Sequence, residues 1–196
     1  MKNESVIISV AVAFIILATA SIFFGAIQPL ARAQNFIEAT RAPATTVMEL
    51  ENNFRRALDY PSYVGDEESA KFLGSNIRGY IGNKQIPEPV SRELLNFIEP
   101  YLEQDNIRHL MMAGQMYLNM WSTYKGQSDY EVAVKYYVEA RRLGPKVYPV
   151  LFGLLAIYDA GGKTAEAKEV GNYILSIWPN DTATTEILAK YGTLDK

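Results

Sequence analysis

The chain has no cysteine and a single histidine, His109. Without cysteine, disulfides, thiol nucleophiles and thiolate metal sites are excluded together. With one imidazole, a site built from several histidines is excluded as well. No Asp-rich loop carries the spacing of an oxygen-ligated ion, so no metal and no cofactor is expected. A basic excess is also missing. Lys+Arg number 19 against 22 Asp+Glu, a formal charge of −3, and beyond residue 32 the balance is 17 against 21. A mildly acidic body does not attract a polyanion, so nucleic acid is not an expected partner. No segment alternates apolar and polar residues for long enough to form a strand, so the body is expected to be all-α.

One long hydrophobic run is present. From Val6 to Ile27 there are 22 residues without a charge. At about 1.5 Å per residue a helix of this length reaches roughly 33 Å, enough to cross a hydrocarbon core. Two readings fit: a membrane anchor, or a signal peptide cleaved after Ala33 at Ala31-Arg32-Ala33. Signal h-regions are shorter than this run, which favours the anchor and a single-pass membrane location. Lys2 and Glu4 on one side, and Arg32, Arg41 and Glu38 on the other, do not separate the two orientations.

Further along, the chain repeats itself. Tyr124, Ala133, Tyr137, Ala140 and Pro145 recur 34 residues later as Tyr158, Ala167, Gly171, Ile174 and Pro179. Such a period, with small residues flanked by aromatics, marks stacked helix–turn–helix units. Two registers are open for the first helix of the earlier unit, one using Leu110, Ala113, Gly114 and Tyr117, the other Tyr124. They differ by two helical turns. Either one long helix covers both, or a normal helix is followed by a long connection holding Trp121.

The remaining segments read as helices. Pro29 and Pro43 bracket a short helix over 30–42. Val47, Leu50, Phe54, Ala57 and Leu58 form the next stripe, capped by Thr45 or Thr46 with Glu49 in the first turn. Asp66-Glu67-Glu68 opens a helix whose stripe is Phe72, Leu73, Ile77 and Tyr80-Ile81, stopped at Gly82-Asn83. The three carboxylates suit the positive end of a helix better than catalysis. Pro87 and Pro89 open a helix carrying Leu94, Leu95, Ile98 and Leu102, which Pro100 should kink or split. After Asn106 the expected stripe is Leu110, Gly114, Tyr117, Trp121 and Tyr124. A short helix beginning at Asn180 or Asp181 closes the chain.

Candidate sites reduce to packing devices. Gly161-Gly162-Lys163-Thr164 resembles the end of a phosphate loop, but Ile157 stands where that loop needs glycine, and a helix precedes it. His109 reads as a surface or seam residue, because spacing supplies neither a nucleophile nor an orienting carboxylate. Trp121, Tyr124, Tyr136, Tyr137 and Tyr158 read as core between repeats rather than a ligand wall. Asn180-Asp181-Thr182 fits a glycosylation sequon, which a helix cap explains equally well. The outward residues of each first helix line the concave face of a repeat array. These are Met111, Gln115 and Asn119 in one unit, and Pro149, Phe152, Ala156 and Asp159 in the next. Their mixed character suits a protein partner bound in a groove.

These residues resemble the tetratricopeptide repeat family, strongly over 107–179 and loosely over 45–106. The order of segments is also similar to the C-terminal end of O-antigen ligase-type membrane proteins. It runs from a membrane helix through QPLARAQNFIEAT and NFRRALDY to an acid-led helix and a repeat ending in Leu143-Gly144-Pro145-Lys146. In that family catalysis belongs to the multi-pass portion, so no catalytic residue carries over. The expected layout is a transmembrane anchor or uncleaved signal over 1–28 and a juxtamembrane linker helix over 29–44. Degenerate helical repeats follow over 45–106, then two tetratricopeptide-like repeats over 107–179 and a capping helix over 180–196. The whole is an all-α chain, an N-terminal transmembrane helix followed by an α-solenoid. The expected function is that of a non-enzymatic, membrane-anchored scaffold. Its partner-binding residues would be Met111, Gln115, Asn119, Phe152, Ala156 and Asp159, and its setting would be cell-envelope or surface-polysaccharide assembly. The alternative is a regulatory tail of a glycan ligase or polymerase.

Overall fold

The computed structural model describes residues 2–192, with side chains from Val6 onward. All regular elements among the described residues are helical. The chain divides into two compact units, Met1–Leu73 and Gly74–Lys196.

In the first unit, α1 (Lys2–Ile22) and α2 (Gln28–Arg41) are joined by a five-residue π turn, Phe23–Ile27. The expected break before a separate juxtamembrane helix is absent. Instead Val6–Arg41 forms one helix of 36 residues, long and apolar enough by length and composition to cross a membrane. Pro29 explains the π turn. Its nitrogen carries no hydrogen, and its ring crowds the carbonyl four residues back, that of Gly25. The wider turn, closed by the Gln28 N–H donating to the Phe23 carbonyl, keeps the chain helical through the proline.

Two shorter helices follow, α3 (Val47–Leu58) and α4 (Asp66–Tyr80), the second running into the next unit. Thr46 caps α3 by accepting from the Glu49 N–H at 3.2 Å. Glu49 reaches back to accept from the Thr45 N–H at 2.8 Å, a reciprocal cap. Phe54, Ala57 and Leu58 are buried as the stripe requires. Arg32 is buried as well, although its charge suggests a solvent-facing position. Its Nε donates to Ser69 Oγ at 3.3 Å and its Nη2 to the Leu58 carbonyl at 3.3 Å, while Nη1 pairs with Asp66. One guanidinium thereby ties α2 to the end of α3 and the start of α4. It also satisfies a carbonyl that the last turn of α3 leaves without a helical partner. Phe72, expected to face inward, is half exposed.

The second unit begins in α4 and ends it at Gly82, whose φ of +77° a side chain would resist. Ile77 and Ile81 are buried, but Tyr80 is exposed, against expectation. Next is α5 (Glu88–Ile98), which Pro100 converts into a 3-10 turn, Glu99–Tyr101. The longest helix of this unit is α6 (Ile107–Tyr124), capped by Asn106 Oδ1 accepting from Arg108 N–H at 3.0 Å. It packs along α7 (Gln127–Leu143). Likewise α8 (Tyr148–Ala160) packs along α9 (Thr164–Ile177), and α10 (Thr182–Ala189) closes on α9.

Trp121 therefore lies within one long helix and not in a connection. Shifting by 34 residues carries the last residue of α7, Leu143, onto the last of α9, Ile177. The same shift places the start of α8 at Gly114, so α6 has seven additional residues at its N-terminal end. The buried residues of α6 are His109, Leu110, Ala113, Gly114, Met116 and Met120, so Leu110 and Gly114 of the expected stripe face inward, whereas Tyr117, Trp121 and Tyr124 are half-buried beside them. The expected aromatic stripe is thus rotated, because methionine fills the inner position and the ring-bearing residues keep polar atoms within reach of partners.

Candidate functional site

The six residues expected to line a partner groove are all half-buried, and they fall into three sets. Met111 and Phe152 both flank the core cluster of Leu151, Leu154, Leu155 and Ile157. Phe152 also stacks on Tyr148, with ring centroids 5.7 Å apart. Gln115 Nε2 donates to Asn119 Oδ1 at 3.0 Å, and Asn119 Nδ2 reaches the Ile81 carbonyl at 3.5 Å. Ala156 sits one turn past Phe152 on α8. Asp159 accepts from Lys190 Nζ at 2.7 Å and from Tyr191 O–H at 2.5 Å, beside the end of α10.

Lys190 and Tyr191 hold the Asp159 carboxyl below its ordinary range, and Asp181 is lowered in the same way by Tyr148 and the Thr184 N–H. A depressed carboxyl contributes stability above its unfolded value, and that contribution is lost as pH falls through the folded one. The α10 amides should thus keep their exchange protection from pH 7 to 5 and lose it below about pH 4. Hydrogen exchange, corrected for intrinsic rates, measures this. Asp159→Asn should remove part of the pH dependence, and an unchanged profile would refute the link.

Sequence spacing does not reveal a second cluster, at the junction of the 3-10 turn with α6 and α7. Tyr117 O–H lies 3.0 Å from both Glu99 carboxylate oxygens, and Tyr136 O–H donates to Oε1 at 2.5 Å. The two phenol rings stack, 5.8 Å apart and 23° from parallel. Beside them is a cavity of about 520 Å³, lined also by Gln104, Val132, Lys135 and Glu139. Burial first, then the Glu99 carboxylate, pushes the Tyr117 phenol up; the same causes push Tyr136 up to about 12. Both phenols therefore remain protonated donors at neutral pH. They are poor bases and poor nucleophiles, and the cluster positions donors around one carboxylate. Tyr117 and Tyr136 are separable packing residues in the sequence. Only helix pairing brings them onto a glutamate displaced by Pro100.

His109 is buried, so of the surface and seam alternatives the surface one fails. Its Nδ1 accepts from the Glu103 N–H at 3.0 Å, so the proton of the neutral ring resides on Nε2. Gly161 and Gly162 make the turn between α8 and α9, with Gly162 at φ +68°, and Asp181 caps α10 by accepting from the Thr184 N–H at 2.9 Å. Among the described residues no three His, Asp or Glu side chains converge as a metal site would require. Comparison with protein families, curated proteins and solved structures finds no match to this chain.

Proposed function

We propose that this protein is a membrane-anchored scaffold of the tetratricopeptide type, holding a partner protein against the groove formed by α6 and α8. The observation that carries the proposal is the 34-residue recurrence, whose equivalent positions fall at equivalent places in two successive helix pairs. Ala133 and Ala167 are both fully buried, and Pro145 and Pro179 both follow the second helix of a pair. Small residues at a crossing let helices approach closely, as a stacked array requires. The anchor is supported by the large apolar side chains of α1, which are exposed along its length: Val6 59%, Phe14 68% and Leu17 63%. A surface of that extent is not stable in water and is at home in lipid.

The same order of segments supports a second reading, a non-catalytic regulatory part of an O-antigen ligase-type glycan enzyme. The groove test separates them. A photo-cross-linking residue at Gln115 or Ala156 is expected to capture one defined protein from intact membranes. The same residue at Asn172, on the exposed face of α9, should not. Capture of a lipid-linked glycan in place of protein would favour the second reading. Equal capture from all three positions would overturn the groove.

A further inference from the structure

We infer that the loop from Tyr60 to Gly65 is a contact with the bilayer surface, with Tyr63 and Val64 set into the headgroup layer. This rests on α1 crossing the membrane. Tyr63 is the most exposed of the large hydrophobic side chains, at 84%, and Val64 is 61% exposed. Tyr63 is nevertheless not out in solvent on its own. Its ring meets that of Phe24 edge-on, with centroids 5.7 Å apart, and Phe24 in turn meets Phe23 at 5.2 Å.

That contact fixes the level of the loop. Phe24 lies three residues inside the end of the apolar run at Ile27, where Gln28 follows, or about 5 Å along the helix axis. A bilayer that covers the apolar run to Ile27 therefore reaches the side of the helix where Tyr63 sits. Aromatic residues favour this depth, where an apolar ring and a polar tip are both satisfied.

The chemistry of the loop agrees with that position. Tyr60 to Gly65 carries no charge; Asp59 precedes it, and Asp66, which Arg32 neutralises, follows it. Ser62 Oγ accepts from the Val64 N–H at 3.3 Å and donates to the Val64 carbonyl at 2.9 Å. The Val64 N–H and carbonyl are thus satisfied locally, which lowers the cost of placing them at a low-dielectric boundary. Next to Val64 a mainly apolar cavity of about 270 Å³ is lined by Pro29, Ala33, Phe36 and Phe72, with Arg32, Glu68 and Ser69 on its polar side. It continues the apolar surface from the loop along the membrane-length helix. A protein partner would need none of this alignment with the end of the apolar run, so lipid is the occupant that the geometry favours.

The absence of cysteine makes the test free of background labelling. Single-cysteine variants Tyr63→Cys, Val64→Cys and Ile16→Cys of the full chain carry an environment-sensitive dye in phosphatidylcholine vesicles. Quenching is compared between shallow nitroxide lipids, deep nitroxide lipids and a water-soluble quencher. The dyes at positions 63 and 64 should be quenched several-fold more by shallow than by deep nitroxides, and the dye at 16 in the reverse order. Val64→Cys keeps the Tyr63–Phe24 contact, so a packing loss in Tyr63→Cys does not decide the outcome. A dye at 64 open to the aqueous quencher, with the dye at 16 in lipid, overturns the loop contact and leaves the anchor standing. Both dyes in water overturn the two together. A dye at 64 shielded from all three quenchers means that protein, and not lipid, covers the loop.

Discussion

Gly153→Ala is expected to destabilise the Gly74–Lys196 unit by about 2 kcal/mol, although alanine is the better helix former by about 1 kcal/mol. The reason is the ring of Tyr137. A Cβ on Gly153 would stand 2.2 Å from its Cε1, and a Cβ on Gly114, on the other side, 2.6 Å from its Cδ2. The ring fills the space between α6 and α8 that two glycines leave open, and it is itself buried. It cannot retreat from Gly153 without pressing on the backbone of α6. Overpacking of a confined site therefore outweighs the gain in helix propensity. Trp121 and Trp178 are the only tryptophans and both lie in this unit, so their fluorescence during denaturant unfolding of the detergent-solubilised chain reports it alone. In a Tyr137→Leu background the same substitution should become neutral or slightly stabilising. That coupling is the signature of a shared contact. A Gly153→Ala chain more stable than the parent would show that the ring has room to move, contrary to this account.

Arg92→Ala is expected to cost about 3 kcal/mol, and Asp129→Ala only about 1 kcal/mol. The pair is bidentate, with Nη1–Oδ1 at 2.6 Å and Nη2–Oδ2 at 2.8 Å, joining α5 to α7. Its two ends differ in surroundings. The Asp129 side chain is 2% exposed and that of Arg92 is 34% exposed, with Glu88 also in reach at 3.3 Å. Losing the aspartate leaves a guanidinium that water and Glu88 can still serve. Losing the arginine leaves a buried carboxylate with its partner gone, which is the costly case. Lysine at 92 should fall between, because it restores a positive charge without the planar fork. The two carboxylates hold the guanidinium protonated more firmly than usual, Asp129 being the main cause. Equal losses from the two alanine variants would contradict the asymmetry.

Much of this architecture is legible before any coordinates. The apolar run to Ile27, the split at Pro100 and the caps at Thr46 and Asp181 are local matters, decided within a few residues. Local steric and hydrogen-bonding rules act over the same distance, so sequence suffices for them. The failures share the opposite property. Arg32 looks like a surface charge because its partners, Leu58, Ser69 and Asp66, are 26 to 37 residues away. The stripe of α6 is displaced toward Met116 and Met120 because its facing helix, and not its own periodicity, selects the inner side.

The sequence by itself determined that the chain is helical, that it begins with a segment of membrane length, and that two of its helix pairs share one period. Each of these follows from composition and spacing along a single strand of chain. Tertiary structure alone decided that Arg32 is buried against Leu58 and Ser69, that Glu99 gathers Tyr117 and Tyr136, and that Tyr63 lies at the level of Phe24. Those three depend on which elements meet. A meeting of distant residues is set by the packing of whole helices, of which any short stretch holds only one side.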